Sequence, residues 1–162
     1  MKADNYGDGI RSKFNEDGSV RSYPGNTIIC FVDPDSEELY PLKQCVELVQ
    51  QSGMAEKYIW LPPPSYHVTV MQGVNDQVRL PDYWSRYKQL DTSLEEMDQF
   101  FIDRYRNVQK FDHAELVVDS IQSDNMDLRV VLRPIDEPTD MRLRAFRDEV
   151  SGLFGVRMPN ND

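Results

Sequence analysis

Apolar positions along the chain change period several times, and each change marks an element. Thr27 to Val32 is β-branched and apolar on both alternating sets, the pattern of a strand buried on both faces, and Asp33-Pro34-Asp35 ends it. From Ser36 to about Gln51 the apolar set Leu39, Leu42, Val46 and Val49 recurs at helical spacing, with Ser36 as N-cap and Gly53 as the C′ stop. Leu61-Pro62-Pro63-Pro64-Ser65 is too stiff for a helix or a central strand. It leads into Tyr66-His67-Val68-Thr69-Val70-Met71, a strand with His67 and Thr69 on one face and Val68 and Val70 on the other, closed by Gly73 and Asn75-Asp76.

Residues 82 to 90 predict a short helix and Ser93 to Val108 a long one, opened by a Ser93-x-x-Glu96 capping box and striped by Leu94, Met97, Phe101, Tyr105 and Val108. A hairpin follows, with strands around Ala114 to Ser120 and Leu128 to Leu132 joined through Ser123-Asp124-Asn125. The last helix runs from about Thr139 to Phe154, buried by Leu143, Phe146, Val150 and Leu153 and stopped by Gly155. The order β, α, β, α, α, β, β, α predicts an α+β domain with a mostly antiparallel sheet. Residues 1 to 26, rich in Gly, Asn, Asp and Pro, form an extended arm before a single domain over 27 to 162.

Composition narrows the function. In 162 residues, 18 Lys and Arg face 28 Asp and Glu for a formal net charge of −10, so no broad cationic face exists for duplex DNA. No apolar run approaches the ~18–20 residues of a membrane span, and the first residues lack a secretory signal, so a cytoplasmic protein with no membrane partner is expected. Cys30 and Cys45 are too few for a disulfide framework and lack zinc-site spacing; both are expected as reduced core residues.

Neither a phosphate loop, a His-Glu-x-x-His motif nor a serine elbow is present, which leaves acid/base chemistry to the two histidines. His67 shares a strand face with Thr69, whose hydroxyl can donate to an oxyanion while the imidazole moves a proton. Those two are the candidate catalytic residues; no cofactor or metal is called for. His113-Ala114-Glu115 lacks the hydroxyl and gets no role. Tyr58, Trp60, Tyr83 and Trp84 read as packing, the Arg142, Arg144, Arg147 group as a solvated helix face, and Gln72 as a cleft residue only by its place after the motif.

Pro63-Pro64-Ser65-Tyr66-His67-Val68-Thr69-Val70 resembles the His-x-Thr-x signature of the two-histidine phosphoesterase superfamily, which includes the RNA-ligase-like cyclic phosphodiesterases. Further segments resemble an uncharacterised branch of it along essentially the whole chain: Lys13-Phe14, Asp17-Gly18-Ser19-Val20, Tyr23-Pro24-Gly25-Asn26-Thr27, Arg147-Asp148 and Gly155-Val156-Arg157-Met158-Pro159-Asn160. The resemblance implies a bilobal α+β fold whose lobes each present one His-x-Thr/Ser-x strand to a shared cleft, and metal-independent cleavage of a 2′,3′-cyclic phosphodiester or an RNA end. It makes His67 one acid/base and Thr69 one oxyanion donor.

The family's second motif is expected shortly after the segment matching Arg157-Met158-Pro159, yet the chain stops at Asp162. The expectation is therefore a domain shortened at its C-terminus, with an incomplete second lobe and weak or no turnover. Its partners would be a small nucleotide, a cyclic phosphate or an RNA end, with self-association through an unpaired sheet edge near the hairpin. The alternatives are a non-catalytic nucleotide- or phosphate-binding module and a structural partner protein.

Overall fold

A computed structural model describes residues 12–17, 19–33, 35–58, 60–109, 111, 113–123 and 128–157. Among them the chain forms seven main elements: β1 Gly25–Phe31, α1 Tyr40–Val49, β2 His67–Asn75, α2 Leu94–Tyr105, β3 Leu116–Ser123, β4 Leu128–Pro134 and α3 Glu137–Phe154. The strands form two separate two-stranded antiparallel sheets, β1 with β2 and β3 with β4. This is the expected α+β class with antiparallel pairing. None of the described helices is long and apolar enough to cross a membrane.

Two of the three helices, α2 and α3, begin where short polar side chains satisfy orphan backbone donors; α1 instead follows a tight turn over Glu37–Leu39, and the expected cap Ser36 makes no capping bond but donates its hydroxyl to the Asp33 carbonyl. Ser93 Oγ accepts from the Glu96 amide at 3.2 Å at the start of α2, as the capping box predicts. At α3 the cap is Asp136, so the helix opens at Glu137 rather than at the Thr139 read from periodicity; the Asp136 carboxylate accepts from the Thr139 amide at 2.8 Å. Pro138 fits in this first turn, where its missing N–H costs nothing.

At the other end of α3, Gly155 takes φ 66°, and a Cβ there would stand 2.6 Å from the Tyr87 ring. Glycine is thus required both by conformation and by the close passage of Tyr87. The Gly155 carbonyl accepts from the Arg86 amide at 2.9 Å, and the Phe154 carbonyl from Ser85 Oγ at 2.5 Å. These bonds clamp the 84–87 segment onto the helix end. The predicted stop after α1 also stands, the chain leaving the helix through Gly53 at φ 75°.

One apolar core joins β2, α2 and α3: Met71, Val74, Trp84, Met97, Phe101, Val108, Phe146, Val150, Phe154 and Val156, with Ile28 and Val70 packed against it. Phe101 and Phe154 stack with centroids 4.3 Å apart, tying α2 to α3. The predicted helical stripes supply Met97, Phe101, Val108, Phe146 and Val150.

Four expectations are corrected. The helix over 82 to 90 is one tight turn, Pro81–Tyr83, followed by further turns; Trp84 is buried and its indole N–H donates to the Gln89 carbonyl at 2.9 Å, so tertiary burial of one aromatic organises this segment. Thr27 to Val32 is not buried on both faces, because a two-stranded sheet covered by the core on one side leaves the other to solvent; Phe31 is 69% exposed. Cys30, expected in the core, is exposed, whereas Cys45 is buried. Gly73 does not close β2, which continues to Asn75.

Residues 1–11 of the expected arm lie outside the described residues; residues 13–17 and 19–21 pair with each other, with Phe14 bridging Val20 and the Asn15 amide donating to the Ser19 carbonyl at 2.8 Å. In the second sheet the predicted strands extend to Ser123 and Pro134, while Asp124 and Asn125 of the predicted turn lie outside the described residues.

Candidate functional site

The strand entering the candidate site is aimed by its prolines. Pro62, Pro63 and Pro64 fix three successive φ angles, and the chain makes a tight turn over Pro63–Ser65 in which the amides of Ser65 and Tyr66 donate to the carbonyls of Pro62 and Pro63 at 2.9 and 3.0 Å. Ser65 Oγ adds a third bond to the Pro62 carbonyl at 2.7 Å. The Val32 amide then donates to the Tyr66 carbonyl at 3.1 Å, locking the end of β1 beside the residue that precedes His67.

This turn holds the Ser65 carbonyl 2.8 Å from His67 Nδ1. A carbonyl oxygen only accepts, so Nδ1 carries the hydrogen and donates it. The neutral ring therefore keeps its lone pair on Nε2, the nitrogen pointing away from the turn. An imidazole oriented by a second-residue hydrogen bond in this way is prepared to accept or return a proton at Nε2.

Register places the neighbours. Phe31 is opposite His67, Ile29 opposite Thr69 and Thr27 opposite Gln72, and directly opposed residues share a sheet face. His67 and Thr69 are both exposed on that face, about 6.5–7 Å apart by strand rise. Val68 and Val70 are partly buried on the other, as alternation predicts.

Strict alternation would also send Gln72 to the core side with Val68 and Val70. It does not, because Ile28 pairs with Met71 while Ile29 pairs with Thr69, which leaves Val70 as an extra residue in β2. This bulge turns both Val70 and Met71 inward, where Met71 is fully buried, and returns Gln72 to the face of His67 and Thr69. A second irregularity at Gly73 is held by Asn26, whose Oδ1 accepts from the Val74 amide at 2.8 Å while its Nδ2 donates to Asp98 of α2 at 2.9 Å. A Cβ on Gly73 would sit 1.8 Å from that Oδ1, so only glycine permits the contact.

Other candidates fall elsewhere. His113 stands on the segment entering β3, exposed and 3.6 Å from Glu115. Arg144 is paired to Asp140 at 2.7 Å one turn back on the solvated side of α3. Tyr58 and Trp60 meet edge to face, and the Tyr58 hydroxyl shares a hydrogen bond with Ser123 Oγ, so this pair ties the loop to β3. Sequence reasoning missed Thr27, Ile29 and Phe31 as members of the site face; the outward placement of two apolar residues in β1 only becomes visible once register is known.

The geometry is that of a His-x-Thr strand with an oriented imidazole on an open face. A family described as a two-histidine phosphodiesterase domain of unknown function (2H-phosphodiest, DUF1868) matches residues 13–127, a stretch that includes both motif residues. The chain belongs to this family. Its fold is shared with the crystal structure of a conserved protein of unknown function, ATU0111, from Agrobacterium tumefaciens str. C58, with a TM-score of 0.79 at 24% identity. That alignment covers 91% of this chain but 62% of the other, so the chain spans less than two thirds of that protein's length. No curated protein sequence matches the chain.

Proposed function

We propose that the β1–β2 face binds and turns over phosphodiesters without a metal, with a 2′,3′-cyclic nucleotide or an RNA end as substrate. His67 Nε2 takes the proton from the attacking water or hydroxyl as the new P–O bond forms, the Thr69 hydroxyl donates to the phosphoryl oxygen on which charge accumulates, and the P–O bond to the ester oxygen breaks, that oxygen leaving as an alcohol with the proton returned from His67 Nε2. The observation that carries this reading is the 2.8 Å bond from His67 Nδ1 to the Ser65 carbonyl, which fixes the tautomer and leaves a base on the same exposed face as Thr69.

Hydrolysis of a 2′,3′-cyclic nucleotide by this chain tests it. His67→Ala is expected to lower the rate by about 10²-fold, the low end of a general acid/base contribution, because the motif supplies one such group and groups that act as a unit are non-additive. Thr69→Ala should cost a similar factor and Thr69→Ser should recover most of it. A rate indifferent to His67→Ala would sink the assignment.

A second reading, a nucleotide- or phosphate-binding module without turnover, is favoured by one observation. His113 lies at the other sheet, faces Glu115 and has no hydroxyl residue two positions on. Calorimetric binding of a nucleotide that depends on Thr69, with no product formed, would select it.

A further inference from the structure

We infer that Phe31 is the platform for the organic group esterified to the phosphate, so that the site selects flat, aromatic esters such as nucleotides over simple sugar phosphates. The inference rests on the assignment of His67 and Thr69 to the phosphate. Phe31 is directly opposite His67 in the antiparallel ladder, which sets their Cβ atoms about 4.5–5.5 Å apart on one face. Its ring is 69% exposed and, among the described residues, stacks on no other aromatic ring.

The apolar character of this face is local. Opposite His67 and Thr69 stand Phe31 and the half-buried Ile29; further along the same face the opposed pair is Thr27 and Gln72. Core packing does not explain Phe31, because the core lies on the other side of the sheet, against Ile28, Val70 and Met71. What sets Phe31 apart from the other exposed apolar residues of the chain is its place directly opposite His67 on the face of Thr69.

The spacing fits a nucleotide. A phosphate held over β2 by His67 and Thr69 leaves its ester group to cross to the neighbouring strand, ~4.7–4.9 Å away, and arrive over Phe31. A ring face stacks any base, and such stacking is sequence-tolerant because every base has a π-face. Gln72 and Thr27, about 13 Å beyond Phe31 along the strands by rise, would face the next group of a longer substrate.

The test is calorimetric binding of adenosine 5′-monophosphate and ribose 5-phosphate, which differ only in the base, to the full chain and to Phe31→Ala, Phe31→Trp and His67→Ala. The wild-type chain should bind the nucleotide roughly 5- to 150-fold more tightly than the sugar phosphate, the factor that one stacked base supplies. Phe31→Ala should bring the nucleotide down to the level of ribose 5-phosphate and leave the latter unchanged. Phe31→Trp, which restores a ring face, should recover the preference, and His67→Ala should weaken both ligands together.

If the wild-type chain binds both ligands equally while His67→Ala weakens both, the platform is overturned and the phosphate site stands. The platform is overturned in the same way if Phe31→Ala weakens both ligands by one factor. If neither ligand binds the wild-type chain, the phosphate assignment itself fails and the platform with it.

Discussion

The two sheets are built alike, but their bulges differ. Each is a two-stranded antiparallel ladder, and each carries a bulge near its middle, at Val70 in β2 and at Asp119 in β3. In the first sheet the extra residue is apolar and goes into the core, which rotates everything beyond it and brings Gln72 round to the face of His67. In the second the extra residue is charged and exposed, and its carboxylate reaches Arg133 at 3.6 Å on the opposite strand. The same backbone device turns a side chain to the face of the candidate residues in one case and ends in a solvated ion pair in the other. What a bulge does is set by where its extra side chain can be buried.

The sheets also differ in how they are supported. β2 contributes Met71 and Val74 to the core at 0% and 1% exposure, whereas no described residue of β3 or β4 is fully buried. Met71→Ala should therefore destabilise the chain by about 2–5 kcal/mol, the range for truncating a fully buried Met, Leu or Ile. Leu132→Ala in the hairpin should cost less than half as much in the same denaturant titration, since Leu132 is only partly buried. Equal losses would mean that the hairpin is held as tightly as the site-bearing sheet.

The next effect concerns the second irregularity in β2. Gly73→Ala forces a methyl group onto Asn26 Oδ1 and dislodges the side chain that accepts from the Val74 amide and donates to Asp98. Overpacking of this kind typically costs about 1–3 kcal/mol. Because Gly73 adjoins Gln72, the nucleotide affinity should change together with stability, while a small-to-large change at Ser120 of the hairpin, which is not fully buried, should leave the affinity alone. Thermal melts and nucleotide titrations on the same samples check this.

A smaller effect appears in acid. The Thr139 side chain and amide hold the Asp136 carboxyl below its ordinary value of 3.8. A carboxyl whose folded-state value is depressed stabilises the fold above the unfolded value, and that contribution fades as pH falls through the depressed one. The wild-type chain should lose stability from about pH 4 downward more steeply than Asp136→Asn, which keeps a capping acceptor without the titrating proton. Parallel pH dependences for the two would show that the α3 cap does not titrate.

These contrasts also explain which parts of the structure are legible in the sequence. Val68 and Val70 opposite His67 and Thr69 follow from alternation alone, and the capping box at Ser93 and the stop at Gly155 follow from local backbone chemistry. Gln72 and Phe31 cannot be placed that way, because Gln72 depends on a register slip and Phe31 on which side of a two-stranded sheet meets the core. Neither is a local property of six or seven residues. The segment at 82 to 90 misleads for a related reason: its aromatics suggest an amphipathic turn of helix, but Trp84 is buried by α2 and α3, which lie outside any window centred on it. The oriented imidazole is half legible, since the proline run promises rigidity without saying that the Ser65 carbonyl just beyond it meets Nδ1.

The smallest expected effect belongs to the charged bulge. Asp119 stands two residues from Val117, whose register partner is Arg133, so carboxylate and guanidinium lie on one face and meet at 3.6 Å with about half of each side chain in solvent. Water screens such a pair and ordering two flexible side chains offsets much of the attraction, so a double-mutant cycle through Asp119→Ala and Arg133→Ala should return a coupling of roughly 0.2–1 kcal/mol. The coupling should shrink further in 1 M salt, where the screening length falls to ~3 Å. Val70→Ala at the equivalent position of the first sheet removes buried methyl groups and should respond to salt hardly at all. A coupling above about 2 kcal/mol, or one insensitive to salt, would mean that the hairpin face is desolvated by something packed over it, and the contrast between a functional bulge and a merely solvated one would then disappear.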